Sequence, residues 1–500
     1  MRGRSPRLWW LGAGGGALLG LAALVAALAW TSIFDSALAS QLALIPSSRA
    51  YREWVAPTVP IYFDVYLFNW TNADEFPETP AVEQLGPYRF REYRRHVNVT
   101  WHQNNSSLSY RTLRTWHFEE ASSNGTLDDN ITTLNVIAAS AVYRSRYWGF
   151  LRQKGLSMGL AMFGHQLAVS KLARELLFEG YEDPLLDLAK SLPSSATGGA
   201  PPVDRFGWFY QRNNSIETDG YMEVSTGQLS GSLPGQILKW NYEDHLPFYS
   251  GECSKLTGSA GEFLPRNLTE QSQLTMFVPD LCRSVHMEYV HSGERLGLAY
   301  HKYAVSERSF DNSSVSSANT CFCNGECLWS GVMNVSACRF DSPAFLSLPH
   351  FLHAEPQLRR LVSGMQPDPD KHSFYFAVEP KLGIPLDVAA RFQLNIFIEP
   401  SPNIALYENV QRMLFPVLWI EQRVSLEASV ARELRVVRAL CEWGGAACAA
   451  AALAAAALLA AACSCRPRAP RTPRHPRSPR HYIPSHDKPR DEAELKLNPI

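Results

Sequence analysis

The sequence predicts an α+β body outside the cytosol, tethered by a membrane span near each end. Three observations carry this reading. Two long uncharged runs, Leu8–Phe34 and Trp443–Cys463, stand near the ends of the 500-residue chain. All ten N-x-S/T sequons fall between them. Aromatic and β-branched segments in that interval show strand-like alternation, interrupted by one stretch with helical spacing.

As a helix, the first run exceeds the ~30 Å hydrocarbon core of a bilayer. Arg2, Arg4 and Arg7 precede it and Asp35 follows, so the excess of positive charge places residues 1–7 in the cytosol and makes 8–34 the first span. Ala37-Leu38-Ala39 supports a competing reading as a cleaved signal peptide, although the apolar run is longer than a usual signal core. Gly12, Gly16 and Gly20 recur every four residues and share one helix face, where small side chains let another helix come close. The second run, 443–463, is mostly alanine and has the length of a span. Arg466, Arg468, Arg471, Arg474, Arg477 and Arg480 follow it, against Arg432, Arg435 and Arg438 before it, which puts the tail 464–500 in the cytosol as well. The glycine face and the alanine-rich span are candidates to pack together. Cys463 and Cys465, at the inner edge of the second span, are candidate acylation sites.

Residues 35–442 therefore form one large domain outside the cytosol. The sequons start at Asn69, Asn98, Asn104, Asn105, Asn124, Asn130, Asn213, Asn267, Asn312 and Asn334. Their confinement to one segment points to the secretory pathway, which decides the chemistry of the six central cysteines. Cys321, Cys323, Cys327 and Cys338 lie within Thr320–Pro356, and Cys253 and Cys282 lie upstream, so 253–338 is the cysteine-rich part. The spacing of Cys323 and Cys327, with His350 and His353 further on, is compatible with a zinc set. An oxidising compartment makes the cysteines disulfides instead. The residues alone leave the pairing open, except that Cys321 and Cys323 are too close to bond easily to each other.

Ile61–Trp70, Phe374–Val378 and Arg391–Glu399 read as strands. Thr133–Lys190 reads as two or three short helices, with apolar spacing at Val136, Tyr143, Tyr147 and Leu151 and stops at Gly155 and Gly180. The uncharged run Gly155–Val169 is too short to span a bilayer. It is either a helix buried in a small bundle or a partly exposed apolar surface that receives a lipid. On the second reading Met158, Met162 and Phe163 make adaptable contacts, while Arg144, Arg146, Arg152 and Lys154 meet acidic head groups. A net charge of −1 gives no field suited to nucleic acid. The sequence holds no H-E-x-x-H, G-x-S-x-G or Walker loop, so no catalytic residue, metal or cofactor is expected.

Six segments taken in order resemble the class B scavenger receptor family, whose members include fatty-acid and lipoprotein scavenger receptors, a lysosomal integral membrane protein, and insect sensory-neuron and carotenoid receptors. They are LGPYRFRE (Leu85–Glu92), ARELLFEGYEDP (Ala173–Pro184), DLCRSVHMEY (Asp280–Tyr289), TCFC (Thr320–Cys323), SLPHFLHAEP (Ser347–Pro356) and VLWIEQ (Val417–Gln422). The resemblance implies an antiparallel β-barrel-like ectodomain with an apical helical bundle, here residues 133–190, and an internal apolar tunnel. It implies the pairing Cys253–Cys321, Cys282–Cys338 and Cys323–Cys327. It implies a non-enzymatic receptor of the plasma membrane, with both termini cytosolic. Its partners would be lipids, lipoprotein particles or other lipid carriers, with a homo-oligomer as a further one, and it would pass fatty acid, sterol or carotenoid to the membrane. The alternatives are a phagocytic receptor for apoptotic cells or microbes and a trafficking receptor for a protein partner. Where some relatives carry apical lysines, an ungapped match places Met162 and Gly164. Lys496 interrupts the Leu495–Leu497 pair, which argues against a lysosomal dileucine signal.

Overall fold

The structure, a computed structural model, describes residues 6–102, 106–191, 203–229, 231–314, 316–323 and 327–464, with the surroundings of the first helix described from Gly14 on. Asn104, Asn105 and Cys465 lie outside the described residues. Two compact units make up the chain: Leu28–Gly445, and the end segments on either side of it.

In the larger unit the strands are β1 (Ile61–Trp70), β2 (Val82–His102), β3 (Ser107–Phe118), β4 (Asn130–Leu134), β5 (Ala168–Leu172), β6 (Met222–Ser225), β7 (Ile237–Trp240) and β8 (Leu274–Val278). They continue as β9 (Arg283–Arg295), β10 (Leu298–Val305), β11 (Val332–Asn334), β12 (Ala344–Ser347), β13 (Tyr375–Glu379), β14 (Ile384–Ile398) and β15 (Met413–Ser425). The main sheet is antiparallel and runs β7-β6-β3-β2-β1-β15-β14-β13-β10-β9-β8, with β12 and then β11 branching from β14. β1 is the central stave. Ile61, Phe63, Val65, Leu67, Phe68 and Trp70 are all buried, on both of its faces. That double burial explains why its sequence is apolar almost without alternation.

The two edges of this sheet meet over one short segment. Ile237 N donates to Gly258 O at 3.0 Å and Ala260 N to Gly235 O at 2.9 Å on the β7 side. Ser259 N donates to Thr275 O at 3.1 Å and Phe277 N to Ser259 O at 2.8 Å on the β8 side. The ring of hydrogen bonds is thereby nearly complete, which satisfies edges that would otherwise invite pairing with another chain. Gly258 makes the seam possible: its φ is +86° and a Cβ there would lie 2.3 Å from Thr275 O.

β4 and β5 form a separate two-stranded ribbon that brackets the helical insertion. Between them lie α3 (Val136–Arg144), a 3-10 turn at Ser145–Tyr147 and α4 (Phe150–Met162), and after them a π turn at Glu175–Glu179 and α5 (Pro184–Ser191). The remaining helices are α1 (Pro6–Leu42), α2 (Arg49–Val55), α6 (Pro356–Leu361) and α7 (Ala428–Ser464), besides single turns. Asn135 caps α3, its Oδ1 accepting from Ala138 N at 3.1 Å.

Two sequence expectations are corrected in this insertion. Gly155 does not stop a helix: α4 runs through it and ends before Gly164, whose φ is +69°. An interior glycine costs a helix only about 1 kcal/mol, whereas a left-handed terminus favours glycine. The apolar run Gly155–Val169 is also not helical throughout. Ala168 and Val169 belong to β5, opposite Leu134 and Thr133, so backbone pairing overrides the local pattern. Gly180, with φ +72°, does end the π turn.

Within the end unit α1 and α7 touch at the glycine face. A Cβ on Gly16 would lie 3.3 Å from Leu459 Cδ2, and one on Gly20 would lie 3.1 Å from Ala455 Cβ. Gly12 falls before the part of α1 whose surroundings are described. Both helices have 37 residues and extend beyond the uncharged runs, because neither Asp35 nor the arginines before Trp443 break a helix.

Candidate functional site

Strands of the barrel line a cavity of about 210 Å³. Its wall is built by alternation. Phe392 and Leu394 of β14 and Leu418 and Ile420 of β15 face it, while the intervening Gln393 and Trp419 point to the opposite face of the sheet. Phe63 of β1 and Trp116 of β3 extend the apolar lining, and Leu281, Val335 and Leu346 complete it.

Charged groups gather on one side of this cavity. Arg114, Arg212, Arg339 and Asp280 line it. Arg212 Nη1 lies 3.3 Å and Arg339 Nη2 3.4 Å from Asp280 Oδ1, and Arg339 Nη2 also donates to Asp280 O at 2.8 Å. Arg114 Nη2 stands 2.8 Å from Asp219 Oδ2, and its Nε 3.9 Å from Glu92 Oε1. Asp280 and Arg339 keep 37% and 29% of their side-chain surface open where they line the cavity. Burial alone would raise the Asp280 carboxyl, but Arg212, Arg339 and Arg114 outweigh it and hold its pKa below the usual value. Burial, with Arg212 beside it, lowers Arg339 against the opposing pull of Asp280. These arginines come from separate segments of the chain, and no motif in the sequence marks them as neighbours.

The helical insertion presents the second candidate surface. Tyr147, Phe150, Leu151, Met158 and Met162 are exposed, both methionines at 73%, while Gln153 and Leu160 on the other face of α4 are buried. The structure thus favours an exposed apolar surface over a helix buried in a bundle. Phe163 sits at the exposed end of α4. Arg152 and Lys154 are exposed on α4, Lys154 Nζ lying 5.8 Å from the Phe150 ring centre. Arg146 is committed elsewhere: its guanidinium lies 3.7 Å from the Tyr143 ring and 4.7 Å from the Tyr147 ring, and Nη1 donates to Tyr143 O at 2.8 Å. Arg144 is half-buried, and that burial lowers its pKa. A cleft of about 400 Å³ opens between α3, Gln153 and the chain Phe397–Asn403, which is the end of β14 and the loop after it.

The structure bonds Cys253 to Cys321, Cys282 to Cys338 and Cys323 to Cys327. The sequon asparagines differ in how free their amides are. Asn213 accepts from Trp116 N at 2.9 Å and donates to Trp116 O at 3.2 Å. Asn312 Nδ2 donates to Leu328 O at 2.5 Å, and the half-buried Asn69 accepts from Thr132 N at 2.8 Å. Asn334, half-buried, accepts from Ser336 N at 2.9 Å. Asn98, Asn124, Asn130 and Asn267 are exposed, Asn124 making one long contact to Gly86 O at 3.5 Å. Cys463 is exposed near the end of α7.

Comparison with known proteins agrees with this architecture along nearly the whole chain. The family model described as the CD36 family matches residues 13–466. Protein peste of Drosophila melanogaster is 36% identical over 413 residues, which is 82% of this chain and 74% of that protein. Scavenger receptor class B member 1 of Cricetulus griseus is 32% identical over 429 residues, 84% of this chain and 82% of that one. Lysosome membrane protein 2 of Homo sapiens is 30% identical over 417 residues, 82% and 84% respectively. Two terminal apolar helices, a nearly closed antiparallel barrel, three disulfides and these matches lead to one conclusion: the chain belongs to the CD36 family, the class B scavenger receptors.

Proposed function

We propose that this two-span membrane protein is a plasma-membrane receptor that captures lipids or lipid-carrying particles on the exposed face of α4 and passes apolar cargo through the barrel interior to the bilayer. Residues 35–442 would stand outside the cell, with the tail and the first residues in the cytosol. The observation that carries this reading is the largely apolar cavity lined by β1, β3, β14 and β15. Apolar surface leaving water supplies about 25 cal/mol per Å² of driving force, so transfer along such a wall needs no chemistry and no nucleotide. The exposed Met158, Met162 and Leu151 would give a particle its first contact.

The test is uptake of fluorescent fatty acid, sterol and carotenoid by cells expressing the full chain and a Leu346→Trp variant that fills the cavity. Uptake that rises with expression and falls in the variant, at equal surface level, is the expected result. A substitution at Gly159 would not serve, because a side chain there meets nothing within 4 Å. No uptake above control for any of the three, with the receptor at the surface, overturns the transfer reading. The exposed α4 face would then favour docking of a particle, a microbe or a protein partner without transfer.

A further inference from the structure

We propose that the cysteine-rich part of the chain holds one halide ion, of the size of chloride, against the buried guanidinium of Arg283. The site shares no lining residue with the barrel cavity and does not depend on lipid carriage.

An unanswered charge motivates it. Arg283 opens β9 directly after Cys282 and is 5% exposed. Its Nη2 donates to Ser309 O at 3.1 Å, and its Cζ lies 3.4 Å from the centre of the Phe322 ring. Nε is buried and has no hydrogen-bond partner. Among the described residues no carboxylate forms an ion pair with the guanidinium. Burial lowers its pKa to about 10, with only Tyr249 opposing, and this still leaves it charged at neutral pH. A ring face recovers part of the cost of burying a cation, and an opposite charge in contact recovers more.

Room for that charge lies beside it. Arg283 lines a space of about 20 Å³ together with Phe322, Val332, Met333 and Phe345. One water needs roughly 10–15 Å³, so a monatomic ion fits and a sulfate, phosphate or carboxylate group does not. A water would satisfy Nε and leave the charge, whereas a halide answers both. Asp311 also lines the space, but its oxygens serve its own loop. Oδ1 accepts from Ser314 Oγ at 2.7 Å and Ser330 Oγ at 3.2 Å, and Oδ2 from Ser316 N at 2.8 Å. Arg283 follows Cys282 in sequence, and Phe322 stands between Cys321 and Cys323, so the ion sits where the three disulfides come together. An ion bound only in this arrangement adds to its stability by mass action.

The experiment follows thermal unfolding of the full chain in neutral detergent, with chloride or bromide replacing gluconate at constant ionic strength. The midpoint is expected to rise saturably, by roughly 2–4 °C, with either halide. Arg283→Gln should abolish that rise. Should Arg283→Gln fail to fold, the anomalous scattering of bromide in crystals of the unsubstituted chain decides the matter, with a peak expected in contact with Arg283 Nε. Equal midpoints in gluconate and chloride, a rise that persists in Arg283→Gln, or bromide found only away from Arg283 overturns the site. Lipid uptake is read separately and stands or falls without it.

Discussion

The imidazole rings of His350 and His372 stack with their centres 4.4 Å apart, both buried on the face of the sheet opposite the cavity wall. Gln366 N donates to His350 Nδ1 at 3.1 Å and Asp368 N to His372 Nδ1 at 2.9 Å, so both rings must be neutral to accept. His350 Nε2 then donates to Gln84 Oε1 at 2.7 Å, an oxygen that also accepts from Trp419 Nε1 at 2.7 Å. Burial pushes each ring to a pKa of about 4. In His372 the neighbouring His350, Arg391 and Lys371 add to that effect and Asp368 opposes it.

A histidine held below its unfolded value of about 6.5 contributes stability that is present above that pH and lost as pH falls toward 4. Acidification from pH 7 to pH 5 should weaken the packing of the 366–372 segment by about 2 kcal/mol for the first histidine to protonate. Hydrogen exchange at the Gln366 and Asp368 amides reads this directly. Exchange that follows only the ordinary base-catalysed pH trend would show that the pair stays neutral. His372→Gln should flatten the response.

The three disulfides should differ in worth because they close loops of different length. Cys253–Cys321 and Cys282–Cys338 are separated by 68 and 56 residues, and Cys323–Cys327 by 4. In the chain-entropy account, losing either long link costs about 4 kcal/mol and losing the short one about 2 kcal/mol. Thermal unfolding of the double-serine variants ranks them. A short link that proves as costly as a long one would mean that native contacts, not chain entropy, set the penalty.

Glycan occupancy should follow the freedom of the asparagine amide. Asn98, Asn130 and Asn267 are expected to carry sugar, and each Asn→Gln change should lower the apparent mass by one glycan. Asn213→Gln should leave the mass unchanged and cost about 1 kcal/mol, because its amide is bonded to both polar atoms of the Trp116 backbone. Peptide mass spectrometry after deglycosylation distinguishes the two groups.

Met158→Glu and Met162→Glu place charge on a face that the fold does not use internally. Stability should change by no more than about 0.5 kcal/mol, while binding of lipoprotein particles to expressing cells should fall several-fold. Unchanged particle binding would move the capture surface away from α4. Gly20→Leu acts elsewhere: with Ala455 only 3.1 Å from a Cβ, it should separate α1 from α7, which a loss of proximity between labels on the two helices would report.

Much of the molecule was legible in its linear order. The Ile61–Trp70 strand was readable because both of its faces are buried and its apolar run is nearly unbroken. The contact between the two spans was readable because small residues at four-residue spacing share a helix face whatever lies around them. Gly155 misled, because a glycine is a stop only where the backbone turns left-handed, and that happens at Gly164. Whether α4 was buried or displayed was also undecidable, since apolar side chains look alike in sequence whether they fill a core or await a partner.

The sequence by itself determined the two spans, the cysteine chemistry and the family, because charge, hydropathy and motif patterns are local and survive without coordinates. Only the tertiary structure decided which charges share the barrel interior and which histidines stack. Arg114, Arg212, Arg339 and Asp280 stand far apart in the chain, and long-range antiparallel pairing alone brings their side chains to one cavity. His350 is held against β14, where Gln393 Oε1 accepts from His350 N at 2.6 Å, and His372 stacks on it there. Contacts between residues remote in sequence depend on how the sheet closes, and closure belongs to the whole barrel, not to any one segment.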